Sequence, residues 1–73
     1  MTVFEIGQQI RATRKSLGLT QSELAMTANT APRFISDLEN GKVTCEIGKV
    51  LSVSQALGIQ IDLSAPALPK ESK

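Results

Sequence analysis

Between positions 32 and 44 the chain places Pro32, Arg33, Ser36, Asp37, Asn40, Lys42 and Thr44 at spacings that a short helix and its exit would turn toward one side. Arginine presents a planar fork of donors and can grip guanine O6 and N7 at once, a contact that discriminates by about 1–3 kcal/mol. Asp37, four residues after Arg33, can orient it through an i,i+4 pair; an exposed pair of this kind without any ligand is worth about 0.2–0.5 kcal/mol. Ser36 can reach a base edge or a phosphate, or be an inert small residue. Asn40, Lys42 and Thr44 carry the groups that bind a phosphodiester backbone. Gln21 stands apart from this set, at the start of an earlier helix. An amide beside free helix-end N–H groups suits an anion there, the alternative being a glutamine that only faces solvent.

The elements that must carry these residues are legible between Thr20 and Lys42. Thr20-Gln21-Ser22-Glu23 has the S/T-x-x-E form of a capping box, and Leu24, Ala25 and Ala28 give the following helix a narrow apolar stripe. Asn29 and Thr30 interrupt it. Pro32 suits the first turn of a second helix, where its missing N–H costs nothing. Ile35 and Leu38 form that helix's buried stripe, and Asn40-Gly41 ends it. Ala25 supplies the small side chain that two steeply crossing helices need. The spacing thus predicts two short helices joined by a tight turn, the second free to enter a DNA major groove.

This stretch resembles the helix-turn-helix of the phage-repressor-like (Cro/C1-type) DNA-binding family, whose pattern runs L-T-Q-x-x-L-A and then I-S-x-x-E-N-G-K. Ile10-Arg11, Arg14-Lys15 and Leu17-Gly18-Leu19-Thr20-Gln21 extend the match, which covers roughly the first sixty residues. The run FISDLENGK followed by KVLSVSQALG looks most like the small HipB-like antitoxins. The resemblance implies that Gln21 holds a DNA phosphate and that Arg14 and Glu39 form a structural ion pair outside the DNA contact set. It also implies a partner, a HipA-like kinase toxin, and a dimer closed by a two-stranded sheet between copies. The departures are local. Asn29 stands where the family has glycine, and asparagine tolerates positive φ better than most residues. Thr30 stands where it has an apolar residue, and Ala31 where it has a polar cap, which forfeits about 1 kcal/mol.

Seventy-three residues permit one domain with a thin core, built here from Ile, Leu, Val and Ala, since Phe4 and Phe34 are the only aromatic residues. A hydrophobic fraction of 41% places the chain among globular proteins. With no apolar stretch long enough for a bilayer and no basic-then-apolar leader, the expectation is a cytoplasmic protein with no membrane partner. Cys45 is alone, so no internal disulfide forms. The net charge is +1, and setting aside Lys70, Glu71 and Lys73 leaves six basic and six acidic residues. A neutral body predicts modest non-specific DNA affinity, so distribution matters more, with Arg33, Lys42 and Lys49 on one side and Glu5, Glu23 and Asp62 elsewhere. Histidine is absent, and neither a metal-ligand cluster nor a phosphate-cradling glycine loop is evident. No catalytic residue, cofactor or metal is expected.

Around the central pair, Thr2-Val3-Phe4-Glu5 is a second capping box opening a helix to about Leu17, with Phe4, Ile6, Ile10 and Leu17 inward and Gly7 at a close approach. Thr44 is a cap for a fourth helix from Cys45 to Leu57, with Ile47, Val50, Leu51, Ser54 and Leu57 inward and Gly58 as the stop. Phe34 packs against a neighbouring helix. Ile59, Ile61 and Leu63 alternate with Gln60 and Asp62 as in a strand. A lone strand leaves its ladder groups unpaired, so it pairs with the same strand of a second copy; otherwise 59–63 is a segment packed on the fourth helix. The tail at 64–73 has two prolines and no periodicity, and reads as flexible. The expectation is therefore an all-α domain at 1–63, of four helices or five, with one C-terminal strand pairing across a homodimer. Its function would be a repressor of a palindromic operator in double-stranded DNA, in a HipBA-like toxin–antitoxin operon. Alternatives are a free-standing phage-type or restriction-modification controller repressor, and a protein-interaction module without DNA binding.

Overall fold

The structure, a computed structural model, describes residues 2–62. Among these, four helices follow one another: α1 (Val3–Ser16), α2 (Gln21–Thr27), α3 (Pro32–Glu39) and α4 (Ile47–Ala56). Both expected capping boxes are complete. The Thr2 hydroxyl accepts from the Glu5 N–H at 3.1 Å while the Glu5 carboxylate accepts from the Thr2 N–H at 2.8 Å. Thr20 and Glu23 repeat the arrangement at 3.0 and 2.8 Å. Ala31 makes no side-chain cap and Pro32 opens α3, as the sequence indicates.

All four helices end in the same way. The N–H groups of Leu19, Thr30, Lys42 and Ile59 reach back to the carbonyls of Arg14, Ala25, Asp37 and Ser54, and the preceding N–H bonds the carbonyl three residues before it. This double closure requires one residue with positive φ. Gly18, Gly41 and Gly58 fill it at three ends; at the helix-turn-helix turn it is Asn29, at φ 58°. The turn therefore keeps its shape without glycine. Its neighbour Thr30 has a buried hydroxyl with no hydrogen-bond partner, in keeping with an apolar residue being the usual occupant.

The core consists of Ile10, Leu24, Ala25, Ala28, Ile35, Leu38, Val50, Val53 and Leu57, with Val3, Ile6, Leu19, Phe34 and Cys45 packed around it. α3 packs on α1 and α2, and α4 packs on α2. Gly7 makes the α1–α3 approach possible: a β-carbon there would strike the backbone carbonyl of Leu38. A side chain at position 7 would drive the recognition helix off its support.

Several expectations about facing need correction. Phe4 and Leu17 are each 57% exposed. Phe4 lies at the rim beside Gly41, and Leu17 is the residue on which α1 closes, so the chain turns before its side chain reaches the core. α4 begins at Ile47 with Glu46 as its uncapped N-cap, so Thr44 caps nothing. The half-buried Cys45 packs against the core and keeps the connector non-helical for two further residues. The inward face of α4 is Val50, Val53, Ser54 and Leu57, while Ile47 and Leu51 are exposed. Ser54 is satisfied by donating to the Val50 carbonyl at 2.9 Å.

No strand forms among the described residues. Residues 60–62 make no ladder bonds, because a single chain offers no partner edge, and Ile59 closes α4 and packs half-buried on the core. Leu63 and the 64–73 tail lie outside the described residues. Among those described, no helix is long and apolar enough to cross a membrane.

Candidate nucleic-acid interface

One carboxylate fixes α3 from behind. Glu39, on the last turn of α3, receives Arg14 Nε at 2.6 Å and Arg14 Nη2 at 3.0 Å, a bidentate pair almost wholly out of water. Arg14 Nη1 also donates to the Leu19 carbonyl at 2.8 Å, which ties in the α1–α2 turn. Gln21 Nε2 donates to Glu39 Oε1 at 3.0 Å, so the first residue of α2 is tied to the same group. Gln8 Nε2 reaches the Glu39 backbone carbonyl at 3.3 Å. Three helices thus converge on Glu39.

The electrostatics follow from this geometry. Burial works to raise the Glu39 pKa, but hydrogen bonds from Arg14 and Gln21, with the charges of Arg14 and Arg11, outweigh it and hold the carboxyl below the ordinary glutamate value. Arg14 is raised in turn, chiefly by its hydrogen bond to Glu39 and against the opposing effect of burial. A buried charge left without its partner would be costly, so this pair and its auxiliary donors behave as one unit.

The front of α3 is different. Pro32, Arg33 and Asn40 are exposed, and Ser36 and Asp37 are partly covered. The Arg33 side chain is 86% exposed and its Nε lies 3.9 Å from Asp37 Oδ1. The other carboxylate oxygen of Asp37 faces Lys42 Nζ at 3.5 Å, which draws the connector onto the helix face. Arg33, Asp37 and Lys42 therefore form one cluster. Thr44 is exposed farther along the connector. Gln21 is not part of this cluster: one of its amide hydrogens is committed to Glu39 behind the helix.

Lys49 Nζ sits 5.8 Å from the centre of the Phe34 ring and 3.7 Å from Glu46 Oε1, so the ammonium of α4 lies beside α3. Phe34 is half-buried against the core, as its packing reading anticipates. Cys45, a half-buried free thiol on the connector, lies within electrostatic reach of Asp37 and Lys42. Its thiol pKa is pushed up by burial first and then by the Asp37 charge, with Lys42 acting in the opposite sense. Glu5 and Asp62 line a groove between α1 and residues 59–62, away from this face.

Comparison with known proteins matches residues 10–64 to the helix-turn-helix family model. A Sinorhizobium fredii protein named Uncharacterized HTH-type transcriptional regulator y4mF is 52% identical over 65 residues, covering 89% of this chain and 86% of the relative. The Immunity repressor protein of Bacillus phage phi105 is 38% identical over 56 residues, covering 77% of this chain and 39% of the relative. Human Endothelial differentiation-related factor 1 is 33% identical over 57 residues, covering 78% of this chain and 38% of the relative. The chain thus spans most of the first relative and well under half of the other two.

Proposed function

The chain belongs to the helix-turn-helix family, and from that premise we propose that it is a sequence-specific DNA-binding transcriptional repressor. The observation that carries this reading is the exposed front of α3, where Arg33 extends into solvent from a helix held rigidly by Arg14 and Glu39 behind it. In this reading Arg33 takes a guanine edge, Pro32 and Ser36 line the groove, and Asp37 accompanies Arg33. Asn40, Lys42 and Thr44 contact the backbone. Gln21 gives its remaining amide hydrogen to a phosphate at the foot of α2. Occupying a promoter excludes polymerase by bulk alone.

The working unit is a homodimer that sets two recognition helices about one DNA turn apart on a palindromic operator. Ile61 is exposed, and the outward Ile47 and Leu51 of α4 add apolar surface; Leu51 shares a cleft with Ile59 and Ile61. Pairing residues 59–63 with the same segment of a second copy supplies the missing strand edge and covers this surface. Ile61→Pro removes a ladder donor. It should turn the protein monomeric in sedimentation with helix content retained by circular dichroism, and a variant that stays dimeric would place the interface on the helices instead.

The run FISDLENGK supports a narrower role as the antitoxin and autorepressor of a HipBA-like operon, holding a HipA-like kinase toxin. Co-purification with the product of the adjacent gene tests it, and a neighbour that encodes no toxin leaves a free-standing repressor. The central experiment is titration of the protein's own upstream DNA against random duplex at physiological salt. Equal affinity for the two would sink the repressor reading.

A further inference from the structure

We infer that Asp37 reads a base, selecting cytosine in the major groove beside the guanine taken by Arg33. The inference rests on the DNA-binding reading and adds to it the sequence class of the operator. An isolated carboxylate facing a polyanion is repelled, so an acid at the centre of a DNA-facing surface calls for a role. Here Oδ1 of Asp37 faces Arg33 Nε at 3.9 Å and Oδ2 faces Lys42 Nζ at 3.5 Å, so the carboxylate approaches DNA inside a cluster that is positive as a whole.

Its hydrogen-bonding capacity is mostly unspent. An ionised carboxylate accepts at about four lone-pair sites. The long contact from Lys42 is the one side-chain hydrogen bond it receives among the described residues. At 3.9 Å from Arg33 Nε the carboxylate makes no hydrogen bond to the guanidinium, so this ion pair leaves its acceptors unspent. The free acceptors need a donor. On the major-groove edge cytosine offers its N4 amine, whereas adenine sets the N7 acceptor beside its amine, and guanine and thymine present acceptors. Four residues along a helix advance about 6 Å. A base-pair step is about 3.4 Å. The cytosine therefore falls within about two steps of the guanine.

Selection of sites from a randomised duplex pool, run on the wild type, Asp37→Asn, Asp37→Ala and Arg33→Ala, tests this, with circular dichroism confirming the fold of each. The wild type should favour cytosine about tenfold at one position per half-site, near a guanine that Arg33→Ala erases. Asp37→Asn should keep the guanine and exchange the cytosine for adenine, because a carboxamide pairs with adenine N6 and N7. Asp37→Ala should keep the guanine and lose preference at the second position. Unchanged preferences in both Asp37 variants would overturn the inference, as would loss of the guanine with no exchange at the second base, which would make Asp37 a positioning residue. A wild-type pool with no enriched sequence would overturn the DNA-binding reading itself, and this inference with it.

Discussion

Two arginine–carboxylate pairs involve α3, and they differ in nearly every physical respect. Arg14 and Glu39 meet through two hydrogen bonds of 2.6 and 3.0 Å with both side chains almost fully out of water. Arg33 and Asp37 approach no closer than 3.9 Å, with the arginine in solvent and the acid shared with Lys42. The first pair is expensive to bury and more expensive to break, so it ties the fold together. The second contributes little to folding, which leaves its donors and acceptors available for a ligand. The same two chemical groups, sorted by exposure alone, yield a fastening on one side of a helix and, on the other, the open ionic cluster proposed to read DNA.

The comparison breaks most decisively at Glu39. Glu39→Ala should destabilise the protein by about 3–5 kcal/mol in urea unfolding, because Arg14 is left charged and buried. A 73-residue domain has roughly 4–11 kcal/mol in total, so the loss should remove a large share of its stability and shift the unfolding midpoint strongly toward lower urea. The same pair carries a pH signature. Glu39 is held below the ordinary glutamate value, so its contribution is complete above about pH 4.3 and fades as pH falls through the depressed folded value. Wild type and Glu39→Gln should accordingly differ strongly in urea midpoint near neutrality and converge in acid. A gap that persists once the pH lies below that depressed folded value would mean that packing rather than charge holds α1 to α3.

At the front of the helix the expected losses move from folding to binding. Arg33→Ala should cost about 1–3 kcal/mol of operator affinity and relax one base position per half-site, with the unfolding midpoint nearly unchanged. Lys42→Ala should instead weaken all sequences alike and flatten the salt dependence. The smallest effect sharpens the contrast most. A double-mutant cycle on Arg33 and Asp37 should give a folding coupling of at most about 0.5 kcal/mol, and a value near that of a buried pair would erase the distinction.

What the sequence disclosed was what short-range chemistry determines. Thr2 with Glu5 and Thr20 with Glu23 are legible because a capping box closes within four residues, and Asn29 because one backbone conformation is needed there. Gly7 is legible as a close approach, since a glycine inside a helix has few other reasons to be there. The Arg14–Glu39 pair spans 25 positions and was visible only through resemblance. The facing of α4 was misread at Ile47 and Leu51, and Val53 was passed over, because an apolar run fits more than one stripe. Packing against α2 decides between them. Thr44 has the chemistry of a cap, but the burial of Cys45 delays the helix and overrides it. Gln21 is hydrogen-bonded to Glu39, a partner that no local pattern announces.

The contact between Gly7 and the Leu38 carbonyl has a mechanical consequence. At that point the two helices touch through their backbones, with no side chain between them to shear. Together with the Arg14–Glu39 pair, this contact couples α3 to α1, so that a tilt of α3 would turn α1 with it. In the proposed DNA-bound dimer, a fit would then be reached by swinging the whole domain about its partner, or by bending the duplex, more than by flexing between α1 and α3. Spacing between half-sites becomes the quantity to which such a molecule is most sensitive, since the reading head itself does not adjust.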